Sequence, residues 1–152
     1  MILEIIIAMA WSISPFGEAK VGIPYAIFNG VNIYVAFIVC FVANVFVYPL
    51  MLFFLDSINS YFLKWRFYKK SAIYVARRAQ LGAKKNVAKY GFWGLMIFVM
   101  LPIPGTGVYA GTIATYLFML DRKKAFIANT VGIFFSCVIV WGMTLATFNG
   151  MS

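Results

Sequence analysis

Apolar residues run along this chain in blocks far longer than one face of a soluble helix or strand, and a few polar or Pro-Gly-rich points interrupt them. No charged residue occurs from Val21 to Leu55, from Tyr90 to Leu120, or from Ala125 onward. Each block exceeds the ~20 apolar residues with which a helix crosses a bilayer. Two of the blocks carry breaks. Apolar arms at Ile5 to Ser14 and Val21 to Gly30, the second containing Pro24, flank Pro15-Phe16-Gly17-Glu18-Ala19-Lys20. Each arm spans ~15 Å as a helix, half of a ~30 Å hydrocarbon core.

The pattern returns later in the chain. Gly91 to Leu101 and Val108 to Leu120 flank Pro102-Ile103-Pro104-Gly105-Thr106-Gly107. Such a density of proline and glycine cannot continue a helix. Non-helical backbone at membrane depth is tolerated where protein or a wet cavity shelters it. Each broken stretch precedes one uninterrupted run, Asn32 to Leu55 or Ala125 to Phe148. Between the halves, Tyr61, Trp65, Tyr68, Ala72, Val75 and Ala79 recur at helical steps among many lysines and arginines. That spacing predicts an amphipathic helix lying on the membrane surface.

Composition agrees with a lipid solvent. Of the 152 residues, 64% are hydrophobic and 11% charged, against roughly 25% charged in a soluble domain. The net charge of +9 does not signal nucleic acid, because most of the basic residues lie between Lys64 and Lys89, between membrane-length runs. Basic residues there mark a cytoplasmic face beside anionic headgroups. With no histidine and only Glu4, Glu18, Asp56 and Asp121 as carboxylates, the chain is a poor candidate for a metal site or an enzyme. No cofactor is expected. Cys40 and Cys137 read as packing residues. The N-terminal run lacks a basic leader and is expected to remain in the mature protein.

Charge also separates two topologies. Four plain spans, at 5–28, 32–55, 91–118 and 125–148, would put Arg122, Lys123 and Lys124 opposite the central basic segment. Two re-entrant hairpins put both basic clusters on one side, as the positive-inside bias prefers. The expected fold is therefore an all-α integral membrane protein of two inverted repeats, each a re-entrant helical hairpin plus a transmembrane helix. Repeat one is 1–56 (hairpin 1–30, transmembrane 32–55) and repeat two is 90–152 (hairpin 90–120, transmembrane 125–148). A basic amphipathic interfacial helix, 58–89, joins them. The protein is expected in the plasma membrane, with 64–89 and 122–124 cytoplasmic and both termini outside. Inverted repeats whose broken helices meet at mid-depth are a recurring plan for transporters.

The candidate substrate or ion site follows from that plan. Glu18 and Lys20 are the charges expected near the membrane centre, where a charge is costly and usually paired or functional. Glu18 could hold a proton, a cation or a substrate hydroxyl, and Lys20 a phosphate; a structural ion pair is the plain alternative. Pro104, Gly105, Thr106 and Gly107 offer free amides and a hydroxyl at the start of a half-helix, suited to an anionic group. Tyr109, Asn44 and Asn129 are further polar candidates, the asparagines equally fit for interhelical hydrogen bonding. Gly107 and Gly111 form a small-xxx-small pair for close helix contact.

The motifs Pro15-Phe16-Gly17-Glu18-Ala19-Lys20-Val21-Gly22-Ile23-Pro24 and Leu101-Pro102-Ile103-Pro104-Gly105-Thr106-Gly107 resemble those of the small multidrug export protein family, over nearly the whole chain. That family is distantly similar to the DedA superfamily, which implies paired re-entrant hairpins and movement of polyprenyl-phosphate carriers or phospholipids. By that similarity Glu18 matches the acidic residue of the first hairpin. The arginines usual in the second DedA hairpin are missing here. The leading expectation is a flippase of a polyprenyl-phosphate-like amphiphile, the partners being membrane lipids, the lipid-phosphate substrate and coupling protons, and the assembly a homo-oligomer. The first alternative is proton-coupled export of lipophilic cations. A non-transporting membrane scaffold is the second.

Overall fold

A computed structural model describes residues 2–62, 70, 86–103 and 106–151. Among them all regular structure is helical: α1 (Ile2–Ile13), α2 (Glu18–Phe28), α3 (Ile33–Phe62), α4 (Asn86–Met100), α5 (Val108–Leu117) and α6 (Arg122–Met151). Both expected breaks are present, and the first is shorter than expected. It closes by Gly17, since Gly17 N and Glu18 N both donate to Ser14 O, at 3.3 and 3.0 Å. Glu18 and Lys20 thus belong to the first turn of α2. Of the amphipathic segment expected over 58–89, Ile58–Phe62 continue α3 and Asn86–Lys89 open α4, while nearly all of the remainder lies outside the described residues.

The two long helices run past their expected ends for local reasons. No glycine or proline follows Pro49 within α3, and the Ser57 and Ser60 hydroxyls donate back to the carbonyls of Phe53 and Ser57, each at 2.8 Å. A hydroxyl bonded to its own helix carries no free polar group. In α6 the basic triplet forms the first turn. Asp121 precedes it as an N-cap, its carboxylate accepting from the amides of Lys123 and Lys124 at 3.0 Å. Capping amides that have no intrahelical partner is the ordinary role of Asp at this position.

Helices α3 and α6 have 30 residues each, ~45 Å of helix. They pack antiparallel through an aromatic seam in which Phe37 and Phe41 meet Phe134, Phe37 meets Trp141, and Tyr48 meets Phe126. Ring centroids 5.4–6.1 Å apart lie within the range in which tilted and edge-on pairs attract. At one end Asp56 holds Arg122 by two hydrogen bonds of 2.7 and 2.8 Å. Residues 122–124 therefore sit at the end where the chain leaves α3. Only 33% and 28% of the two apolar windows is buried, whereas a core helix of a soluble domain would be mostly covered. Phe46, Leu50 and Phe53 are among the exposed apolar side chains. A surface this apolar suits lipid.

One local structure occurs twice, 89 positions apart. After α2, Asn29 N, Gly30 N and Val31 N donate to Tyr25 O, Ile27 O and Ala26 O. After α5, Phe118 N, Met119 N and Leu120 N donate to Ala114 O, Tyr116 O and Thr115 O. Each is a Schellman-type ending with its turning residue at positive φ, 79° at Gly30 and 51° at Met119. The next helix is then capped alike, Asn32 accepting from Tyr34 N and Asp121 from Lys123 N, both at 3.0 Å. Across the halves, α2 packs on α6 and α3 on α5. The α2 end lies beside the α6 end through Phe28 and Phe148, while α5 leads into the opposite end of α6.

Candidate functional site

The two breaks meet, and Glu18 is at the meeting point. The residue is 5% exposed. Its carboxylate lies against Gly107 at the start of α5, facing the backbone amides of Val108 and Tyr109, the first residues of that helix. These amides have no partner inside the helix, and the helix dipole favours an anion there. The fit depends on Gly107, because a Cβ at that position would lie 1.5 Å from Glu18 Oε2. Only hydrogen fits against the carboxylate.

Lys20 completes the charge arrangement. Its Nζ lies 3.5 Å from Glu18 Oε2 and donates to Ile103 O at 2.8 Å, a carbonyl freed by the second break. A buried carboxylate needs a counter-charge and polar partners; Lys20 supplies the first, and the amides at the start of α5 face the carboxylate as the second. Tyr109 links the breaks in the other direction, its hydroxyl donating to Ile13 O at the end of α1. Glu18 also holds φ 53°, a backbone region that side chains other than glycine rarely adopt. Such outliers cluster at functional sites because surrounding structure must hold them there.

The remaining candidates distribute differently. Thr106 closes its own break, its hydroxyl donating to Leu101 O at 2.9 Å and Ile103 O at 2.8 Å. Pro104 and Gly105 lie outside the described residues. Asn129 is fully buried on α6. Its Nδ2 donates to Ala125 O at 2.9 Å, and its Oδ1 faces Gly111, where an added Cβ would be 2.3 Å away. Asn44 is buried on α3, in helical register with Phe37, Phe41 and Tyr48, and its Oδ1 has no protein partner. Among the described residues no group of three potential metal ligands gathers.

Sequence reasoning passed over several participants. The carbonyls of Ile13 and Ile103 and the amides of Val108 and Tyr109 carry no side-chain signature. Gly22 sits so close to α1 and α3 that a Cβ would be 2.2 Å from Ser12 Oγ and 3.1 Å from Cys40 Sγ. Its counterpart is Gly111, wedged against Val99 and Asn129, and Asn129 is 89 positions beyond Cys40. A readable signal existed for this correspondence. At that spacing Pro15 matches Pro104, Gly22 matches Gly111, and Ala36-Phe37-Ile38 matches Ala125-Phe126-Ile127, with Val42/Val131 and Phe46/Phe135 following.

No curated protein and no solved structure matches the chain significantly. A family match does exist, and it begins at Glu18, directly after the first break, and takes in the second break, all of α3 and more than half of α6. Over residues 18–139 the sequence fits the family described as "Putative small multi-drug export protein", and the chain belongs to that family.

Proposed function

We propose that the chain is a membrane exporter of amphiphilic cations, with Glu18 as the group that exchanges a proton for the substrate. The observation that carries this reading is the Glu18 carboxylate seated on the first amides of α5. An anionic headgroup would need those same amides, and the protein's own anion already faces them. A lipid-phosphate substrate would therefore have to expel Glu18, whereas a proton or a cation acts on Glu18 where it stands. Protonation removes the charge that joins the two breaks, and an arriving cation competes with the Lys20 ammonium for the same oxygen.

The membrane arrangement is part of the proposal. Arms α1 and α2, with 12 and 11 residues, and α5, with 10, each cover about half a bilayer. The reading makes α1–α2 and α4–α5 re-entrant hairpins from opposite faces, with α3 and α6 as the crossings, in inverted repeats. The recurring turn at 29–31 and 118–120, and the opposite ends at which α2 and α5 finish, support it. So does the Asp56–Arg122 contact, which favours a common cytoplasmic side for residues 122–124 and the central basic segment. We place the protein in the plasma membrane with both termini outside, assign it no catalytic chemistry, and expect a homo-oligomer surrounded by lipid.

The test uses proteoliposomes with an acidic interior. A fluorescent lipophilic cation is expected to accumulate inside as protons leave, and Glu18→Gln is expected to abolish this. A labelled polyprenyl phosphate offered alongside is expected not to cross. Crossing of the lipid phosphate with no movement of the cation would replace this reading with the flippase.

A further inference from the structure

The two halves share a sequence pattern yet are packed differently, and the difference opens a groove. About 440 Å³ of space lies between α1 and α3, lined by Met9 and Ile13 on one side and by Ile38, Val42, Phe46 and Leu50 on the other. The lining is almost wholly apolar. Ile13, one of the lining residues, carries the carbonyl that receives the Tyr109 hydroxyl, and the Tyr109 amide faces the Glu18 carboxylate. The groove thus ends at a residue, Ile13, that is joined to the charged site through Tyr109.

In the second half the corresponding helices are pressed together. Ile38, Val42 and Phe46 are matched by Ile127, Val131 and Phe135 on α6. Ala43, beneath the groove, is matched by Gly132, where a Cβ would lie 2.8 Å from Met96 O and 3.0 Å from Val99 Cβ of α4. Helix α1 packs chiefly on α2, but α4 packs chiefly on α6. Equivalent helices therefore occupy two different seats within one molecule. Packed elements with two discrete seats are the usual material of a switch, and alternating access exchanges the roles of two repeats about a fixed site.

We infer that the α1–α3 groove receives the apolar body of the exported cation while its charged end lies against Glu18, and that α1 closes this groove by seating on α3 as α4 seats on α6. The inference rests on the exporter reading. The chemistry favours this occupant because pockets for drug-sized ligands combine an apolar wall with a few convergent polar groups. The groove supplies the wall; Glu18 and Tyr109, beyond Ile13 rather than in the lining, are the polar groups that the cation's charged end would reach.

The probe is tetraphenylphosphonium, with the full-length protein in nanodiscs. Val42→Trp fills the groove from its rim and is expected to weaken binding at least tenfold. Phe118→Trp, also at an exposed apolar position but outside the groove, is expected to bind as the parent does. A second measurement does not depend on a bulky variant. Spin labels at Ile6→Cys on α1 and Phe53→Cys on α3, with Cys40→Ser and Cys137→Ser, should give two distances, the longer one selected by the cation. If the cation moves on a proton gradient but Val42→Trp binds it normally, or the labels give one distance unmoved by ligand, the groove assignment is overturned and the exporter reading stands. If the cation neither binds nor moves, both fall.

Discussion

Lys20 and Tyr109, 89 positions apart, each reach from the helix that follows one break to a backbone carbonyl in or beside the other. Lys20 Nζ donates to Ile103 O at 2.8 Å, and the Tyr109 hydroxyl donates to Ile13 O. The exchange is reciprocal but not equal, because the Lys20 ammonium also faces Glu18 at 3.5 Å. Tyr109→Phe should cost about 1 kcal/mol, the net worth of one neutral hydrogen bond. Lys20→Met should cost about 3 kcal/mol, because it strands a buried carboxylate. Adding Glu18→Gln to Lys20→Met should recover most of that loss. Equilibrium unfolding in mixed micelles reads all three, and equal losses for Tyr109→Phe and Lys20→Met would show that the ammonium is not neutralising Glu18.

Gly107→Ala should act as a lesion of Glu18. The new methyl would occupy the space of the carboxylate, forcing it off the Val108 and Tyr109 amides. Proton-driven cation uptake should drop at least tenfold while helix content is kept. Gly94→Ala, where an added Cβ meets nothing within 4 Å, should leave uptake unchanged and raise stability by up to about 1 kcal/mol from helix propensity alone. Uptake and circular dichroism measured on both variants separate the site effect from a general one.

Met119 holds the φ of 51° that Gly30 adopts freely at the matching position. A left-handed conformation costs an L-residue with a side chain roughly 1–2 kcal/mol. Met119→Gly should therefore stabilise the protein by about 1 kcal/mol, and Gly30→Met should destabilise it by a similar amount. Thermal unfolding of the pair is the check; a destabilised Met119→Gly would mean that the methionine side chain contributes more than the turn costs.

The start of α6 should be sensitive to acid. The Lys124 and Lys123 amides, with the two ammonium groups beside them, hold the Asp121 carboxyl below its ordinary range. A group with a depressed folded-state pKa stabilises the fold above its unfolded value, near 3.9. That contribution is lost as pH falls through the lower folded value. Hydrogen exchange at Lys123 and Lys124 should accelerate below about pH 4. Asp121→Asn, which keeps a capping oxygen, should remove the pH dependence without fraying the helix at neutral pH.

How much of this was legible in the sequence depended on the kind of signal. The long apolar runs and the two breaks could be read, because charge exclusion and proline clustering are properties of single residues. Glu18 and Lys20 stood out for the same reason, as charges amid apolar neighbours. The partners of Glu18 did not, since amides belong to every residue and only the folded path of α5 aims two of them at a carboxylate. The reading of Pro15 to Lys20 as one break missed that Ser14 O closes the turn early and gives Glu18 to α2. The role of Thr106 was equally hidden: a hydroxyl beside a break can face a ligand or its own carbonyls, and spacing does not distinguish the two.

The aromatic seam between α3 and α6 limits which parts of the molecule are free to move. Phe37, Phe41 and Tyr48 interleave with Phe126, Phe134 and Trp141 over several turns, so sliding either helix along the other would unstack several rings at once. The pair thus serves as a fixed frame with a constant register. Rearrangement falls to the short helices hung on its flanks, and a rigid crosslink between α3 and α6 should leave turnover intact, while one that ties α1 to α2 should stop it.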